Sequence, residues 1–501
     1  MKRFSYLDMV KELLSEKDFL RFEKLYMRSV KKSVKLMKSR LSEEVLREEL
    51  GKSGWELQAP EFSFDGRVYD DVLFVEKEDK QSLGSHFLHQ AGCLYVQEMA
   101  AGMSVQVLFN GEIASQARND LVVLDMCGAP GGKSVQIADR LKSVDCFAGS
   151  QGQSVLIANE MHPGRRKALQ ANLERCGFEN VLLTGYDGRK FGELLSEQCD
   201  KVLLDAPCSG EGMQYKSDFK VYQWNEKVVR KIASVQEELL VSGLQALKVG
   251  GELVYSTCTT NVIENELVVA KVLERFGDAI ELLDVEINQK SEGISEWRGE
   301  EILDIDLAKK LARFWPHVQG TGGFFIAKFR KVKKFLQEMS SEKTEISSLD
   351  SSHSFRMTGY GDFSTSVQEQ VWKFLGEEFG IEKDEFVYLQ FVQTKYEVRV
   401  VSKGALPFLG QLFVESVGLP ILKKLTDESY LPLLGLAKVF GGVATKNILD
   451  IDDEQAKYLL EKKDLKDERL TQFEGKFVIL RWKGVGLGLV SVQGGIGKNK
   501  C

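Results

Sequence analysis

Short apolar runs alternate with helical patterns through the middle of the chain, and this alternation constrains the fold more than any other feature. The apolar runs predict strands at residues 121–125, 155–158, 181–184, 201–205 and 252–256, with a last strand at Phe324–Phe329. Helices are expected after residue 131 through Leu141 and at residues 164–176, 227–248 and 262–275. Strands that alternate with helices predict a doubly wound, mainly parallel α/β sheet.

The ends of the chain carry different patterns. Residues 1–23 read as one amphipathic helix, and residues 27–41 fit a helical stripe. Residues 332–365 are polar and rich in serine, which indicates a linker. Residues 366–501 predict a second globular unit of the α+β class, beginning with a helix near Ser366–Phe379. A chain of 501 residues is long enough for two to four domains.

The charge and the apolar content exclude some classes of protein. The N-terminus has no signal-peptide core and no apolar run reaches membrane-spanning length, so we expect a cytoplasmic protein that does not bind membranes. The net charge of −7 argues against indiscriminate coating of nucleic acid. One local basic run lacks acidic residues and consists of Lys24, Arg28, Lys31, Lys32, Lys35, Lys38 and Arg40. It is either a solvated face or an RNA contact.

Cysteine spacing argues against a metal site. The chain has eight cysteines, none in a CxxC pair, and no histidine stands at zinc-ligand spacing. Most of them fit ordinary core packing as reduced thiols. Only Cys208 and Cys258 stand in turns that could present a thiol to a substrate.

Both of these cysteines follow predicted strands. Cys208 lies in Asp205-Ala206-Pro207-Cys208-Ser209-Gly210, and Cys258 lies in Tyr255-Ser256-Thr257-Cys258-Thr259. Ligands of open α/β sheets bind outside the carboxyl ends of the strands. We therefore expect both thiols to face one crevice, which favours group transfer through a thiol nucleophile.

A glycine-rich turn follows the first strand of the sheet. It reads Cys127-Gly128-Ala129-Pro130-Gly131-Gly132-Lys133, and its glycines allow the backbone to approach a ligand closely. The Gly-Lys-Ser at 132–134 is not a Walker loop, because Cys127 stands where that motif needs a glycine. Nucleotide hydrolysis is therefore disfavoured.

These motifs together resemble the Nol/Nop/Sun family of RNA cytosine-C5 methyltransferases. The resemblance spans about residues 20–331 and also rests on Asn159-Glu160, Asp187-Gly188, Asp205–Gly212, Glu264-Asn265-Glu266, Arg313–His317 and Gly323–Ala327. The tail resembles that of one bacterial branch, the RsmF type, whose members act on 16S ribosomal RNA. The supporting residues are Gly418-Leu419-Pro420 and the closing stretch from Gly486 to Asn499.

The resemblance implies a Rossmann-like methyltransferase core that binds S-adenosylmethionine. It implies an N-terminal RNA-binding region at 1–120, the core at 121–331, the linker at 332–365 and a PUA-like RNA-binding domain at 366–501. It also places a strand near Ser33–Ser39 and a helix around Tyr95-Val96-Gln97-Glu98. The cofactor would be held by the turn Cys127–Lys133, by Glu160 at the ribose, by Asp187 at the adenine and by Asp205. The family commonly has Ala or Ser at position 128, where this chain has Gly128.

The chemistry of cytosine C5 methylation gives roles to the catalytic candidates. A thiolate that adds to C6 makes C5 nucleophilic, and a base then removes the C5 proton so that elimination frees the enzyme. In DNA enzymes the Pro-Cys thiol attacks, whereas in the RNA family the Thr-Cys thiol does. The presence of both motifs favours Cys258 as nucleophile and Cys208 as the thiol that assists release. Asp205 would orient the base, and Lys133 would polarise it or stabilise the thiolate.

Three alternatives remain at this point. A transfer RNA methyltransferase would have the same core, and only the tail favours ribosomal RNA or the small ribosomal subunit as partner. A noncatalytic RNA-binding assembly factor would keep the fold but not the cysteines. A DNA methyltransferase would have no use for the Thr-Cys motif. We expect a monomer without a metal ion.

Overall fold

The structure of the protein, a computed structural model, describes residues 5–64, 67–68, 72–77, 82–110, 120–147, 153–213, 224–335, 360–362, 364–426 and 429–500. The N-terminal helices are α1 (Tyr6–Leu13), α2 (Glu16–Leu25), α3 (Glu43–Lys52), α4 (Phe87–Gln90) and α5 (Met99–Phe109). The N-terminal strands are β1 (Ser33–Leu36), β2 (Glu56–Gln58), β3 (Ser63–Phe64), β4 (Arg67–Val68), β5 (Val72–Glu76) and β6 (Leu94–Val96).

The middle of the chain contains the longest helices and strands. Its helices are α6 (Gly132–Phe147), α7 (Pro163–Cys176), α8 (Phe191–Leu194), α9 (Glu226–Ala246), α10 (Glu266–Phe276), α11 (Ile305–Lys310) and α12 (Pro316–Gln319). Its strands are β7 (Val122–Asp125), β8 (Val155–Asn159), β9 (Val181–Thr184), β10 (Cys199–Asp205), β11 (Leu247–Thr257), β12 (Ile280–Leu283), β13 (Glu296–Trp297), β14 (Glu300–Glu301), β15 (Ala312–Phe314) and β16 (Phe324–Lys331).

The C-terminal part alternates short helices with strands. Its helices are α13 (Thr365–Phe379), α14 (Leu406–Leu409), α15 (Leu434–Phe440) and α16 (Asp453–Leu460). Its strands are β17 (Tyr360–Asp362), β18 (Leu389–Thr394), β19 (Glu397–Ser402), β20 (Val414–Val417), β21 (Leu419–Lys424), β22 (Tyr430–Pro432), β23 (Ile448–Asp450), β24 (Leu465–Lys466), β25 (Phe477–Trp482), β26 (Val485–Gln493) and β27 (Ile496–Asn499). Short 3₁₀ helices cover Leu83–Ser85, Gly188–Lys190, Glu211–Met213, Gly277–Ala279, Lys383–Phe386, Lys403–Ala405 and Glu468–Phe473.

A nine-stranded sheet positions the candidate site. Its order is β12-β16-β11-β10-β7-β8-β9-β20, and β15 pairs with β16. The five strands from β11 to β9 are parallel, whereas β16 and β20 run antiparallel to their neighbours. The predicted doubly wound, mainly parallel α/β sheet is therefore confirmed.

Side chains that follow one another along a strand of this sheet point to opposite faces and belong to two different hydrophobic clusters. Leu124, Ile157 and Val202 pack with apolar side chains of α9 and α10. Val123 and Leu156 belong to the opposite cluster, with side chains of α5, α6 and α7. Since both faces are covered, every position of these strands can be apolar, which explains why they read as continuous apolar runs.

The N-terminal part differs from two sequence predictions. Residues 1–23 form two helices rather than one, because the chain is extended at Leu14 and Ser15 then caps α2 by accepting a hydrogen bond from Asp18 N. Tyr95-Val96-Gln97-Glu98 are not a helix: strand β6 ends at Val96, and Glu98 caps α5. Strand β1 resolves the ambiguity at 27–41, and it lies in an antiparallel sheet of order β2-β5-β1-β6.

Hydrophobic cores cross the boundaries proposed from the sequence. Strand β20, from the C-terminal part, pairs with β9 of the large sheet. The remaining C-terminal strands form two five-stranded sheets, β17-β18-β19-β21-β22 and β23-β25-β26-β27-β24. The second of these shares one cluster with the N-terminal sheet, where the Phe87 and Trp482 rings lie 5.4 Å apart. Hydrophobic clusters and strand pairing thus join residues of the N-terminal, middle and C-terminal parts of the chain.

The polar stretch expected to be a linker lies largely outside the described residues, which end at Phe335 and resume at Tyr360. Among the helices that are described, none combines the length and the apolar character needed to cross a bilayer.

Candidate active site

Three strand ends bring the cysteine peptides together. Strands β7 and β11 both pair with β10 in parallel, so that Asp205 at the end of β10 lies beside Ser256 of β11. The turns that follow carry Cys208 and Cys258, whose Sγ atoms are 3.2 Å apart. Both thiols therefore lie at one location, as their positions after the strand ends predict.

A cavity of about 450 Å³ opens at this edge of the sheet. Both cysteines and both members of the Lys133–Asp205 pair line it. Other residues that line the cavity are Tyr95, Gln97, Glu98, Cys127, Gly128, Ala129, Pro130, Gly132, Arg165 and Phe324. The glycine turn and the thiols thus share one space, as a reaction between a bound cofactor and a base at Cys258 requires.

A partly buried ion pair lies among the lining residues. Lys133 Nζ is 2.7 Å from Asp205 Oδ2, and Ser256 donates a hydrogen bond to Asp205 Oδ1 at 3.0 Å. Burial alone favours the neutral amine, but the Asp205 carboxylate outweighs it and raises the pKa of Lys133 above its usual value. Cys258 adds to this effect, so Lys133 is a cation within electrostatic reach of that thiol.

The two thiols differ in their surroundings. The contact with Cys258, together with burial, raises the pKa of the Cys208 thiol well above its usual value. Glu264 and Asp205 add negative charge near the same sulfur. Cys208 is therefore a proton-bearing thiol in this state.

The glycine turn is shaped by contacts to its neighbours. Gly128 N donates to Asn159 O at 2.8 Å, and Ser134 Oγ donates to Asp125 Oδ2 at 2.6 Å. Gly131 has a φ of +121°, a backbone conformation that side chains other than glycine rarely adopt. A Cβ at Gly131 would approach Asn172 and Leu169 to 3.3 Å. The turn is thus fixed in a form that exposes its backbone to the cavity.

The residues present fit a nucleoside cofactor with a polar edge. The lining combines turn backbone, apolar surface and a few polar atoms, which is typical of small-molecule sites. One acceptor, Gln97 Oε1, is buried among these residues without a hydrogen-bond partner in the described part of the chain. A buried acceptor in that position needs a donor, and a bound ligand with amino or hydroxyl groups supplies one.

Glu160 and Asp187 lie at the ends of neighbouring strands but not in the lining of this cavity. Glu160 is 5% exposed and accepts a hydrogen bond from His162 N at 2.9 Å, while Arg165 lies 3.4 Å from its other oxygen. The Asp187 carboxylate is held by Arg189, whose hydrogen bonds lower the pKa of Asp187. The ribose and adenine roles of these two acids stay predictions.

The basic run from Lys24 to Arg40 is not one exposed surface. Lys35 is buried and forms an ion pair with Asp139 at 2.9 Å. Arg40 donates hydrogen bonds to Cys176 O and Gly486 O, so it joins three parts of the chain. Lys31 is more than half exposed, at 56%. Strand burial, which the charge pattern does not reveal, thus removes Lys35 from any RNA-binding set.

Sequence reasoning missed several residues around the thiols. Tyr95, Gln97 and Glu98 line the cavity, although their segment was expected to be a helix. Glu211 and Glu264 form a buried acidic pair beside the Pro-Cys turn. The only sequence signal for them was their place in the quoted motifs. Among the described residues, no cluster of three His, Cys, Asp or Glu side chains has the arrangement of a metal site.

Known proteins are similar to this chain over most of its length. The model of the 16S rRNA methyltransferase RsmB/F family matches residues 113–330. Ribosomal RNA small subunit methyltransferase F of Vibrio atlanticus is 30% identical over 97% of this chain and 93% of its own. The protein of the same name from Photobacterium profundum is 32% identical over 84% of this chain and 80% of its own.

Solved structures agree with this assignment. A methyltransferase homologue from Pyrococcus horikoshii is 28% identical, with a TM-score of 0.52 over 65% of this chain and 93% of its own. NSun6 from the same organism, solved with SFG, is 24% identical, with a TM-score of 0.50 over 65% of this chain and 97% of its own, and shows the shared fold. On the strength of the full-length similarity, this chain belongs to the RsmB/F family of 16S rRNA methyltransferases.

Proposed function

We propose that the protein transfers a methyl group from S-adenosylmethionine to C5 of a cytosine in 16S ribosomal RNA, through a covalent bond between Cys258 and C6 of the base. Family membership makes it an RNA methyltransferase. The observation that carries the proposed mechanism is the 3.2 Å contact between the Cys208 and Cys258 sulfurs in the cavity lined by the glycine turn.

Attack at C6 requires a thiolate at Cys258. The Lys133 ammonium lines the same cavity as this thiol, and a cation close to a cysteine is one of the features that activate a thiol nucleophile. When the sulfur adds to C6, the electron pair of the C5–C6 double bond moves into the ring toward N3 and O2. Lys133 and the Asp205 carboxylate beside it would orient these polar edges. C5 then becomes a carbon nucleophile.

S-adenosylmethionine, when bound, supplies an electrophilic methyl group. The turn residues Cys127–Lys133 would hold it, with Glu160 at the ribose, Asp187 at the adenine and Asp205 near the methyl donor. The turn lines the same cavity as the two cysteines, which supports this placement. A cavity that excludes most water also protects the methyl donor from hydrolysis.

Release requires loss of the C5 proton, and Cys208 would assist it. In the resting protein the neighbouring Cys258 raises the pKa of the Cys208 thiol. Once Cys258 is bound to the base, its sulfur no longer carries a negative charge, so the pKa of Cys208 falls. Cys208 can then lose its proton to solvent, and the resulting thiolate accepts the C5 proton. The C–H electron pair restores the double bond and expels the Cys258 thiolate.

The C-terminal part is proposed to bind RNA as a PUA-like domain. The support is its second five-stranded sheet, β23-β25-β26-β27-β24, which shares a hydrophobic cluster with the N-terminal sheet. Exposed basic residues of the N-terminal part, such as Lys31, would continue this contact surface.

Substitution of each cysteine tests the mechanism. Cys258→Ala should abolish methylation and form no adduct, because the nucleophile is gone. Cys208→Ala should methylate once and remain as a protein–RNA adduct in a denaturing gel. The double variant should form no adduct. Trapping by Cys258→Ala instead of Cys208→Ala would reverse the roles, and unchanged turnover in both single variants would contradict the thiol mechanism.

Sequencing of bisulfite-treated RNA tests the substrate. Ribosomal and transfer RNA from a strain that lacks the gene should be compared with RNA from the parent strain. Loss of a modified cytosine in 16S ribosomal RNA is expected, whereas a loss confined to transfer RNA would assign the same chemistry to a different substrate.

A further inference from the structure

A buried acidic pair lies directly behind the two cysteine turns. Glu264 and Glu211 are 0% and 3% exposed. The Ser209 hydroxyl contacts a carboxylate oxygen of each, at 2.6 Å to Glu211. The other groups that donate hydrogen bonds to the pair are neutral amides and an indole, from Asn261, Gln236 and Trp224. Within the described ranges, neutral donors alone therefore hold both carboxylates in place.

Glu264 holds the Pro-Cys turn from within. Ser209, the residue after Cys208, donates its backbone N–H to Glu264 Oε2 at 3.0 Å. Gln236 of α9 uses one amide group twice, donating to Glu264 Oε2 at 2.7 Å and to Pro207 O at 2.8 Å. The residues on both sides of Cys208 are thus bound to one carboxylate, directly or through Gln236.

The same carboxylate is connected to the Thr-Cys turn. Asn261 donates to Glu264 Oε1 at 2.6 Å and to Thr259 Oγ1 at 2.8 Å. The Thr-Cys turn also has a support that does not involve Glu264, because Asn265 donates to Thr259 O at 3.1 Å. Loss of Glu264 should therefore disturb the Pro-Cys turn more than the Thr-Cys turn.

The geometry points to Glu264 as a positioning residue that fixes Cys208 against Cys258, so that the release step depends on it more than the attack does. This inference rests on the proposed function, because it assumes that Cys208 assists release. Glu264 touches neither sulfur by a hydrogen bond in the structure and acts through Ser209, Gln236 and Asn261. Glu264 would therefore affect the release of the methylated RNA and leave the attack by Cys258 largely unchanged.

Glu264→Gln is the decisive variant. Glutamine has nearly the same shape as glutamate, but an NH₂ donor replaces one of the two acceptor oxygens. If this donor takes the place of Oε2, it faces the N–H groups of Ser209 and Gln236; if it takes the place of Oε1, it faces the N–H group of Asn261. With unmodified 16S ribosomal RNA and labelled S-adenosylmethionine, a single turnover of methyl transfer should remain close to the wild-type rate. Multiple turnover should fall by about 100-fold, as expected when a reacting group is displaced by about 1 Å. A denaturation-resistant protein–RNA adduct should accumulate.

Glu179→Gln is the matched control. Glu179 is a buried carboxylate that pairs with Lys142 at 2.8 Å and does not contact either cysteine turn. Its variant should accumulate no adduct. If Glu264→Gln does not fold, Ser209→Ala removes the hydroxyl that joins the two carboxylates and should give a smaller accumulation of adduct.

The outcomes separate this inference from the proposed function. Adduct in Cys208→Ala but none in Glu264→Gln or Ser209→Ala would overturn the positioning role and leave the thiol assignment intact. No adduct in Cys208→Ala would overturn the proposed function itself. Equal loss of single and multiple turnover in Glu264→Gln would show a general structural role and would also overturn the inference.

Discussion

Lys133 Nζ lies 2.7 Å from Asp205 Oδ2, so the last residue of the glycine turn is tied to the end of the strand that leads into the Pro-Cys turn. Ser256, on the strand that leads into the Thr-Cys turn, donates to the other oxygen of the same carboxylate at 3.0 Å. One carboxylate therefore connects the glycine turn with the ends of both strands that lead into the cysteine turns.

Asp205→Ala should lower the thermal stability of the protein, because Lys133 would remain buried without its partner. Removal of one member of a buried pair costs about 3–5 kcal/mol, and the partial exposure of Asp205 reduces this to about 1–3 kcal/mol. The double variant Lys133→Met/Asp205→Ala should recover part of the loss. Scanning calorimetry of both variants measures it, and additive losses would show that the two residues do not interact.

Gly131→Ala should weaken S-adenosylmethionine binding. The residue has a φ of +121°, and an added Cβ would lie 3.3 Å from Asn172 and Leu169. Strain of this kind costs about 1–3 kcal/mol, and the turn would shift to relieve it. Titration calorimetry with S-adenosylmethionine should show at least a severalfold loss of affinity. Gly250→Ala is the control, since Gly250 also has a positive φ but nothing within 4 Å of its Cβ position; an equal loss there would contradict this explanation.

The large sheet and its cysteine turns could be predicted because local patterns determine them. The apolar runs Leu121–Leu124 and Val202–Leu204 identify strands buried on both faces, and ligands bind at the ends of such strands. The pairing of Val414–Val417 with the far edge of this sheet could not be predicted, because it joins residues 230 positions apart (Val414 and Thr184). Nothing in either local sequence specifies such a partner.

The burial of charged side chains was equally hidden from the sequence. Lys35 stands in a basic run that reads as exposed, yet it pairs with Asp139 across 104 positions. Glu264 stands in a motif whose other residues suggest only a helix start. The roles of such residues follow from which neighbours the fold supplies, and composition or spacing along the chain does not encode those neighbours.

The basic run should separate into an RNA-binding part and a structural part. Lys31→Gln combined with Lys32→Gln should weaken RNA binding and reduce the slope of its salt dependence by about 0.7–0.9 for each phosphate that the protein no longer neutralises. Lys35→Gln should instead lower the melting temperature, because it leaves Asp139 buried and unpaired. Filter binding across salt concentrations and thermal unfolding distinguish the two. A smaller salt slope in Lys35→Gln at unchanged stability would contradict this division.

Asp125 should make stability depend on pH. The surroundings of Asp125 raise its pKa to about 6, well above its usual range. Burial is the largest cause, and the nearby charge of Asp205 adds to it. The hydrogen bond from Ser134 and the charge of Lys133 act in the opposite direction and lower the pKa. Because the folded protein binds this proton more tightly, the stabilisation is complete below the unfolded pKa and is lost as the pH rises through the folded one. About two pKa units correspond to at most about 3 kcal/mol.

Asp125→Asn should remove this contribution. The difference in melting temperature between wild type and variant should change between about pH 4, the unfolded pKa, and about pH 6, the folded one, with the wild type relatively more stable at the lower pH. The comparison isolates Asp125 because all other titrating groups are common to both proteins. A difference that is constant with pH would show that Asp125 titrates normally.

The C-terminal part should be necessary for a stable core. A chain that ends at Phe335 would expose β9 as an open edge strand, which promotes aggregation. It would also lose Arg399, which is 4% exposed and donates to Val417 O at 2.6 Å and to Glu174 at 2.9 Å. We expect this truncated protein to be less soluble and to unfold at a lower temperature. In the full chain, Arg399→Met should lower the melting temperature in the same direction by a smaller amount. A truncated protein that stays monomeric in light scattering and melts like the full chain would show that the two parts fold independently, as the composition of residues 332–365 first suggested.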